Sequence, residues 1–383
     1  AANSISYSVK TGKGTPPEPS KLSRGAKFKC IKCGEATTPD YIKSESISGK
    51  MGSVLMAVVA EGKNGRQYIS SDIVQSEAAC VPIPEDFPQG QLANDPRNIW
   101  CVGYGLDTYD KLFTNRQSTA LTTFSGLVHE AQQKAEADAL AAELGGDEIP
   151  LSDGGTGAKA YGQAVGVYLA FVVDKLADYH SSICSWHNSK ELIRNTFGRQ
   201  AIPMVWDFVE ANPFSNSAGC FDNMLEWVFK CTANLPAYGK ASVYQCDAQS
   251  HGVLQGIVVS TDPPYYDNIS YANLSDFFYV WLRQCLKATY PSIFKTVLVP
   301  KAEELIATPY RFDGSIEKAR DFFETGMLKT FRQVNQYSKD NIPVTIYYAF
   351  KISAPRGIFF SATTNATSPF SSSAQSNLPS KST

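Results

Sequence analysis

Asp262-Pro263-Pro264-Tyr265 is the segment of this sequence whose residue types and spacing best suit chemistry. It follows an apolar run, Ile257-Val258-Val259, and the pair Ser260-Thr261. Two prolines hold the backbone extended and remove two consecutive N–H donors. A carboxylate, a carbonyl with no competing N–H and an aromatic face are thereby offered together. Methyl transfer to an exocyclic amine on an aromatic base needs such a set. The amine attacks an electrophile poorly because its lone pair is delocalised into the ring. Acceptors on its hydrogens, the Asp262 carboxylate and the Pro263 carbonyl, localise that pair toward an incoming methyl group. No prior proton abstraction is needed, and alignment supplies most of the rate. Tyr265 offers a platform for a base swung out of its stack, and Tyr266 a second apolar wall. The competing reading is a proline turn with a capping Asp, which a bare four-residue match does not exclude. The strand expected before the motif and the helix expected after it favour the functional reading.

Those elements must position the motif. Residues 256–260 read as a buried parallel strand, and residues 274–287 as the helix after it. In open α/β sheets, ligands bind beyond the carboxyl ends of such strands. Residues 242–246 and 343–350 read as further strands, and 315–337 as a helix. Upstream, 119–143 is rich in Ala, Leu, Glu and Gln and is stopped by Gly145-Gly146, which predicts a helix. Val165, Leu169, Val172, Val173 and Leu176 recur at helical spacing and predict a second helix over 159–186. A third is expected over 221–235, and short strands over 55–60 and 67–70. Residues 80–96 read as an irregular connection, and the Ser/Thr/Asn-rich stretch from 351 to 383 as a disordered tail. The expected fold class is α/β, with a partial Rossmann-like sheet carrying insertions.

Thr261-Asp262-Pro263-Pro264-Tyr265-Tyr266-Asp267-Asn268-Ile269, with Tyr271 and Ser275-Asp276-Phe277-Phe278-Tyr279-Val280-Trp281-Leu282, resembles the large zinc-ribbon-containing adenine-specific DNA methylases of prokaryotes. The likeness extends through Thr196-Phe197-Gly198-Arg199-Gln200, Pro203-Met204-Val205-Trp206-Asp207-Phe208, Leu121-Thr122-Thr123-Phe124 and Gly49-Lys50-Met51-Gly52, spanning roughly residues 5 to 350. The resemblance implies methyl transfer from S-adenosylmethionine to adenine N6 of a flipped base in DNA. Asp262, Pro263, Pro264 and Tyr265 would form the catalytic pocket, with Tyr266 and Asn268 on the substrate side. It implies a zinc-ribbon-like insertion over 1–75, a mixed helical insertion over 76–155 and the methyltransferase part over 156–350. Asp247, at the end of the strand expected before the catalytic one, would meet the cofactor adenine; its alternative is to cap the next turn. The family's Gly-rich cofactor loop lies N-terminal to these segments. Gly154, Gly155 and Gly157 follow no expected strand and read as a linker. The chain, which begins without Met, therefore reads as a piece of a longer protein.

Cys30-x-x-Cys33-Gly34 is half a zinc knuckle, because a structural zinc site takes four ligands. The alternative is a pair of reduced thiols. Arg116-Gln117 and Arg199-Gln200 could meet phosphates or bases, although ordinary salt bridging is the preferred reading. The four histidines have no ligand spacing, and Asn212-Pro213-Phe214 lacks the second proline of a related motif.

The formal net charge of −2 and a pI near 6.2 do not describe a protein gripping nucleic acid through bulk positive charge. The positive charge that DNA requires must be local, and the basic N-terminal stretch is the place to look. Nine cysteines in 383 residues, only one pair closely spaced, predict a reduced, cytoplasmic setting. No signal peptide or membrane span is expected. Two alternatives remain open: a related amino-methyltransferase acting on cytosine N4 or RNA, and a catalytically silent nucleic-acid-binding subunit.

Overall fold

The computed structural model describes residues 5–15, 17–23, 25–235, 238–239, 241–250, 255–267 and 269–348. These divide into two compact units, the first from residues up to 239 and 270–302, the second from 240–269 and from 303 onward.

Two small hairpins open the first unit. β1 (Phe28–Lys29) pairs antiparallel with β2 (Ala36–Thr37), and β3 (Ala57–Gly62) with β4 (Gly65–Ser70). The short helices α1 (Pro39–Glu45) and α2 (Ile73–Ala78) start at Thr38 and Asp72, whose side chains accept the backbone N–H of the third helical residue, Tyr41 and Gln75. Helix α3 (Asn115–Ala141) starts with a capping box: Thr114 accepts the Gln117 N–H, and Gln117 Oε1 accepts the Thr114 N–H at 2.9 Å. Helix α4 (Ala158–Ala177) packs closely along it because Gly162 and Gly166, one turn apart, present no side chain. A Cβ at Gly162 would lie 2.7 Å from the Gln132 carbonyl oxygen, and one at Gly166 2.9 Å from Gln132 Oε1. The loop between the helices folds on itself. Asp147 accepts the N–H groups of Ile149 and Thr156, and a Cβ on Gly157 would stand 2.1 Å from the Asp147 carbonyl. This glycine-rich loop is thus a linker that needs glycine for its own close crossing.

Helix α4 ends earlier than its apolar pattern predicts. Asp178 stops it: its carbonyl accepts the Thr196 N–H at 2.7 Å, and its carboxylate accepts from Asn195 Nδ2 and the Phe197 N–H. The apolar residues beyond belong to β5 (Ser185–His187), antiparallel to β6 (Leu192–Arg194), and not to the helix expected to reach 186. Helix α5 (Phe221–Asn234) follows, and α6 (Tyr271–Leu286) completes the unit's core against α3 and α4, with Val128, Ala170, Val173, Cys285, Leu286 and Phe294 buried together. Where α6 begins, Arg97 donates to Ser270 Oγ at 2.8 Å and pairs with the fully buried Asp95, which also accepts from Asn273.

Asp174 interrupts the buried face of α4, and its Oδ1 is enclosed without a hydrogen-bond partner among the described residues. Burial, reinforced by Asp178, pushes its carboxyl well above the usual range. A folded-state pKa above the unfolded one contributes stability fully present below the unfolded value, near 4, and lost as pH rises through the folded value. Asp174→Asn is therefore expected to raise the melting temperature at pH 7, with the gain shrinking as pH falls toward 4. Thermal melts at both pH values check this, and a variant that melts lower at pH 7 contradicts it.

The second unit contains β7 (Ser260–Thr261) and β8 (Thr345–Ile346), which run parallel, with α7 (Ile316–Tyr337) between them in sequence. Backbone bonds extend the pairing: the Ile257 N–H donates to Tyr337 O, the Thr345 N–H to Val259 O and the Tyr347 N–H to Thr261 O. Leu305, Ala307, Ala319, Phe323 and Met327 form this unit's core. A Cβ at Gly326 would meet Leu305 Cδ2 at 2.2 Å, so a side chain there would have to displace the Leu305 methyl groups within this core.

The molecule is a mixed α/β chain in which helices dominate, and every sheet among the described residues has two strands. Two sequence expectations are corrected. Residues 242–246 are irregular and exposed, Val243 at 96%, because no neighbouring strand offers them a ladder. Ile257 and Val259 are half-buried, while Val258, at 59%, and Ser260 are exposed, so this is not the fully covered strand its apolar run suggests. No described helix is long and apolar enough to cross a membrane. The predicted tail, 351–383, lies outside the described residues.

Candidate functional site

The last ladder bond of β7, from the Tyr347 N–H to Thr261 O at 2.8 Å, comes immediately before Asp262. Pro263 and Pro264 bring no N–H with which to continue the pairing, so the chain leaves the ladder here. Asp262 is exposed, and Pro263, Pro264 and Tyr265 are half-buried. The Tyr265 hydroxyl donates to Asp262 Oδ1 at 2.9 Å. Acid and ring are thus already coupled, and the carboxylate is accepting a hydrogen. A carboxylate offers about four lone-pair sites, so it can accept an amine hydrogen beside, or in exchange for, this hydroxyl.

Tyr266 has φ +28°, an unusual value for a residue with a Cβ. Such backbone costs on the order of 1–3 kcal/mol and persists where its surroundings over-determine it. They do here. The Tyr266 N–H donates to the Tyr348 hydroxyl at 3.2 Å, its carbonyl accepts the Ala307 N–H at 2.8 Å, and its ring meets Phe323 edge-on at 5.2 Å.

Tyr348 was not legible as a site residue, yet it touches both tyrosines of the motif. Its ring stands edge-on to Tyr265, with centroids 5.6 Å apart. It lies two residues beyond β8 as Asp262 lies one beyond β7, and parallel pairing brings both to the same edge. Burial raises the Tyr348 phenol above its ordinary value, keeping it protonated at neutral pH. The sequence signal that pointed this way was the apolar-aromatic run of 343–350, read only as a strand.

Other expected residues lie elsewhere. Asn268 lies outside the described residues. Asp247 is exposed, and its Oδ1 accepts the Gln249 N–H at 2.9 Å, which is the turn-capping geometry. Cys30 and Cys33 sit in the tight turn joining β1 to β2: the Gly34 N–H donates to Cys30 O at 2.8 Å, and the Cys30 N–H donates to Glu35 O. Hydrogen bonding from Cys33 and Lys32 lowers the Cys30 thiol below its ordinary value. No group of three or more His, Cys, Asp or Glu side chains suited to a metal is gathered among the described residues.

Arg116 is held by Glu210 through Nε and Nη2, and its Nη1 donates to Ala79 O, so its role is structural. The Arg199 guanidinium lies 4.6 Å from the Trp100 ring centroid. His180 is buried with Nε2 2.7 Å from Gly219 O, His129 Nε2 lies 3.3 Å from Gln284 O on α6, and His187 Nδ1 lies 3.3 Å from Ser189 Oγ in the same turn. Asn212 folds an Asx turn over Phe214.

Compared with known proteins, the chain matches no family model, no curated protein and no solved structure.

Proposed function

We propose that this chain carries the target-base pocket of an S-adenosylmethionine-dependent DNA adenine-N6 methyltransferase, with β7, α7 and β8 as part of a Rossmann-like half. One observation carries the reading. Asp262-Pro263-Pro264-Tyr265 lies just beyond the carboxyl end of a strand in parallel pairing, with the tyrosine hydroxyl on the carboxylate. Asp262 and the Pro263 carbonyl accept the hydrogens of the adenine amine, Tyr265 stacks on the flipped base, and Tyr266 and Tyr348 bound the pocket. Asp in the first position favours adenine over cytosine. Nine free thiols support a reduced, cytoplasmic setting.

S-adenosylmethionine, when bound, supplies an electrophilic methyl group. The described residues do not build its cradle: Asp247 is alone in an exposed segment, with one oxygen committed to its own turn. The chemistry assigned to this chain is therefore on the acceptor side. The same observation favours a second reading, a catalytically silent nucleic-acid-binding subunit. Zinc at Cys30 and Cys33 would need two further ligands.

The deciding experiment incubates the chain with S-adenosylmethionine and adenine-unmethylated genomic DNA, digests the DNA to nucleosides and looks for N6-methyladenine. Its appearance supports the enzyme, N4-methylcytosine redirects the substrate, and no methylated base with no calorimetric binding of S-adenosylmethionine supports the silent subunit.

Tyr265 offers a finer test. Tyr265→Phe keeps the ring and its edge contact with Tyr348 but releases Asp262. Transfer is expected to stay within about tenfold of wild type, whereas Tyr265→Ala loses stacking of about 1–3 kcal/mol, roughly 5- to 150-fold in kcat/KM. Equal losses in both variants would count against the stacking role.

A further inference from the structure

We infer that a patch of aromatic rings flanked by cations on the first unit binds the backbone of a nucleic acid. The inference takes from the proposed function only that the partner is DNA, and it concerns residues far in sequence from Asp262.

The charge is segregated. Residues 10–32 hold seven basic residues (Lys10, Lys13, Lys21, Arg24, Lys27, Lys29, Lys32) and one acid (Glu18), in a chain whose net charge is −2. Folding sets part of this stretch against aromatic rings from two other segments. Phe28 on β1 meets Trp206 edge-on at 5.3 Å, and Trp206 meets Tyr104 edge-on at 5.2 Å. Lys21, bridged through its backbone to Phe28, places Nζ 6.0 Å from that ring's centroid. Lys43 on α1 places Nζ 5.8 Å from the Tyr104 centroid, so the row of three rings has an ammonium at each end. Trp100, just before the turn that carries Tyr104, is 37% exposed and is covered by the Arg199 guanidinium.

Lys21, Lys43 and Arg199 are exposed, and none of them belongs to an ion pair among the described residues. Near 6 Å an ammonium is at the outer limit of attraction to a ring, so the lysines keep their donors for another acceptor. Phosphates at backbone spacing suit a row of such cations, and the half-buried rings between them give flat faces to sugars or bases. An acidic protein would use the charges but has no need of three rings in a row. The overall acidity of the chain confines nucleic acid to a local surface of this kind.

The test needs no cofactor and no transfer. The full chain is titrated into a fluorescein-labelled duplex of about 30 base pairs, and anisotropy is followed from about 50 to 300 mM KCl. The K21A/K43A/R199A variant, checked for an unchanged melting temperature, is run beside it, together with a K21Q/K43Q variant that leaves Arg199 on Trp100. Three lost phosphate contacts are expected to weaken binding on every duplex sequence tried. They should also flatten the slope of log K against log salt by about 2.7, or by about 1.8 for the double variant. The inference is overturned if both variants keep the wild-type affinity and slope. It is equally overturned if the wild-type chain ignores DNA or is displaced from it by polyglutamate as readily as by unlabelled duplex. Salt-sensitive binding through these residues by a chain that transfers no methyl would leave this surface in place and sink the transfer reading; transfer with unaltered binding in both variants would do the opposite.

Discussion

Asp262→Ala is expected to lower methyl incorporation into unmethylated DNA by on the order of 10²–10³-fold, the cost of removing one preorganised polar partner of a transition state. The amine's lone pair becomes nucleophilic only as it leaves conjugation with the ring, and in the proposed pocket the carboxylate would favour that change by accepting a hydrogen whose positive character grows with it. Alanine leaves the hydrogen without its acceptor at the moment it is most acidic. Asp262→Asn keeps an acceptor oxygen in nearly the same place without the charge, and is expected to fall between wild type and alanine. An Asn variant as poor as alanine would mean that charge matters more than placement. Folding should be indifferent, because Asp262 is exposed and its partner within the chain is the Tyr265 hydroxyl. Such surface changes usually stay within about 0.5 kcal/mol. The measurement is tritium transfer from labelled S-adenosylmethionine alongside a thermal melt. Transfer at the wild-type rate by a folded alanine variant would end the assignment of Asp262.

The candidate segment could be singled out in the sequence because its groups are local: four consecutive residues carry the acid, the unhindered carbonyl and the ring. Helix positions were legible for the same reason, from the Gly145-Gly146 stop after α3 and the apolar spacing of α4, although the Thr114–Gln117 capping box that starts α3 at Asn115, before the expected 119, was not read. What could not be read depends on distant pairing. Tyr348 reaches Tyr266 across 82 residues only because β8 lies parallel to β7 in one register. The end of α4 was hidden because Asp178 takes its capping partners from residues 195–197, well beyond any helical window. Residues 242–246 read as a short strand from their residue types, but a strand exists only where a neighbour supplies its hydrogen bonds, and that neighbour cannot be read from the segment itself. The Asx turn at Asp247 was one of two readings that its position allowed equally.

Asp276 shows why resemblance of a segment does not make each of its acids catalytic. It stands in Ser275-Asp276-Phe277, close after the motif, yet it is fully buried in the first unit. Lys301 Nζ lies 2.7 Å from Oδ2, and the Val299 N–H donates to Oδ1 at 2.8 Å. The pair ties the segment after α6 back onto that helix. Its two ends are not equivalent, for the lysine side chain is 27% exposed and the carboxylate not at all. Lys301→Met should therefore be the more damaging single change: it strands a buried carboxylate, at a cost of about 3–5 kcal/mol. Asp276→Asn keeps an acceptor for the Val299 N–H and leaves an ammonium that can turn to water, so it should cost less, about 1–3 kcal/mol. Adding Asp276→Asn to Lys301→Met should then restore stability relative to Lys301→Met alone, since the second change removes the stranded charge. Denaturant unfolding of the three variants reads all of this. A Lys301→Met chain as stable as wild type, or a double variant no better than Lys301→Met, would show that the carboxylate is not confined as its burial indicates.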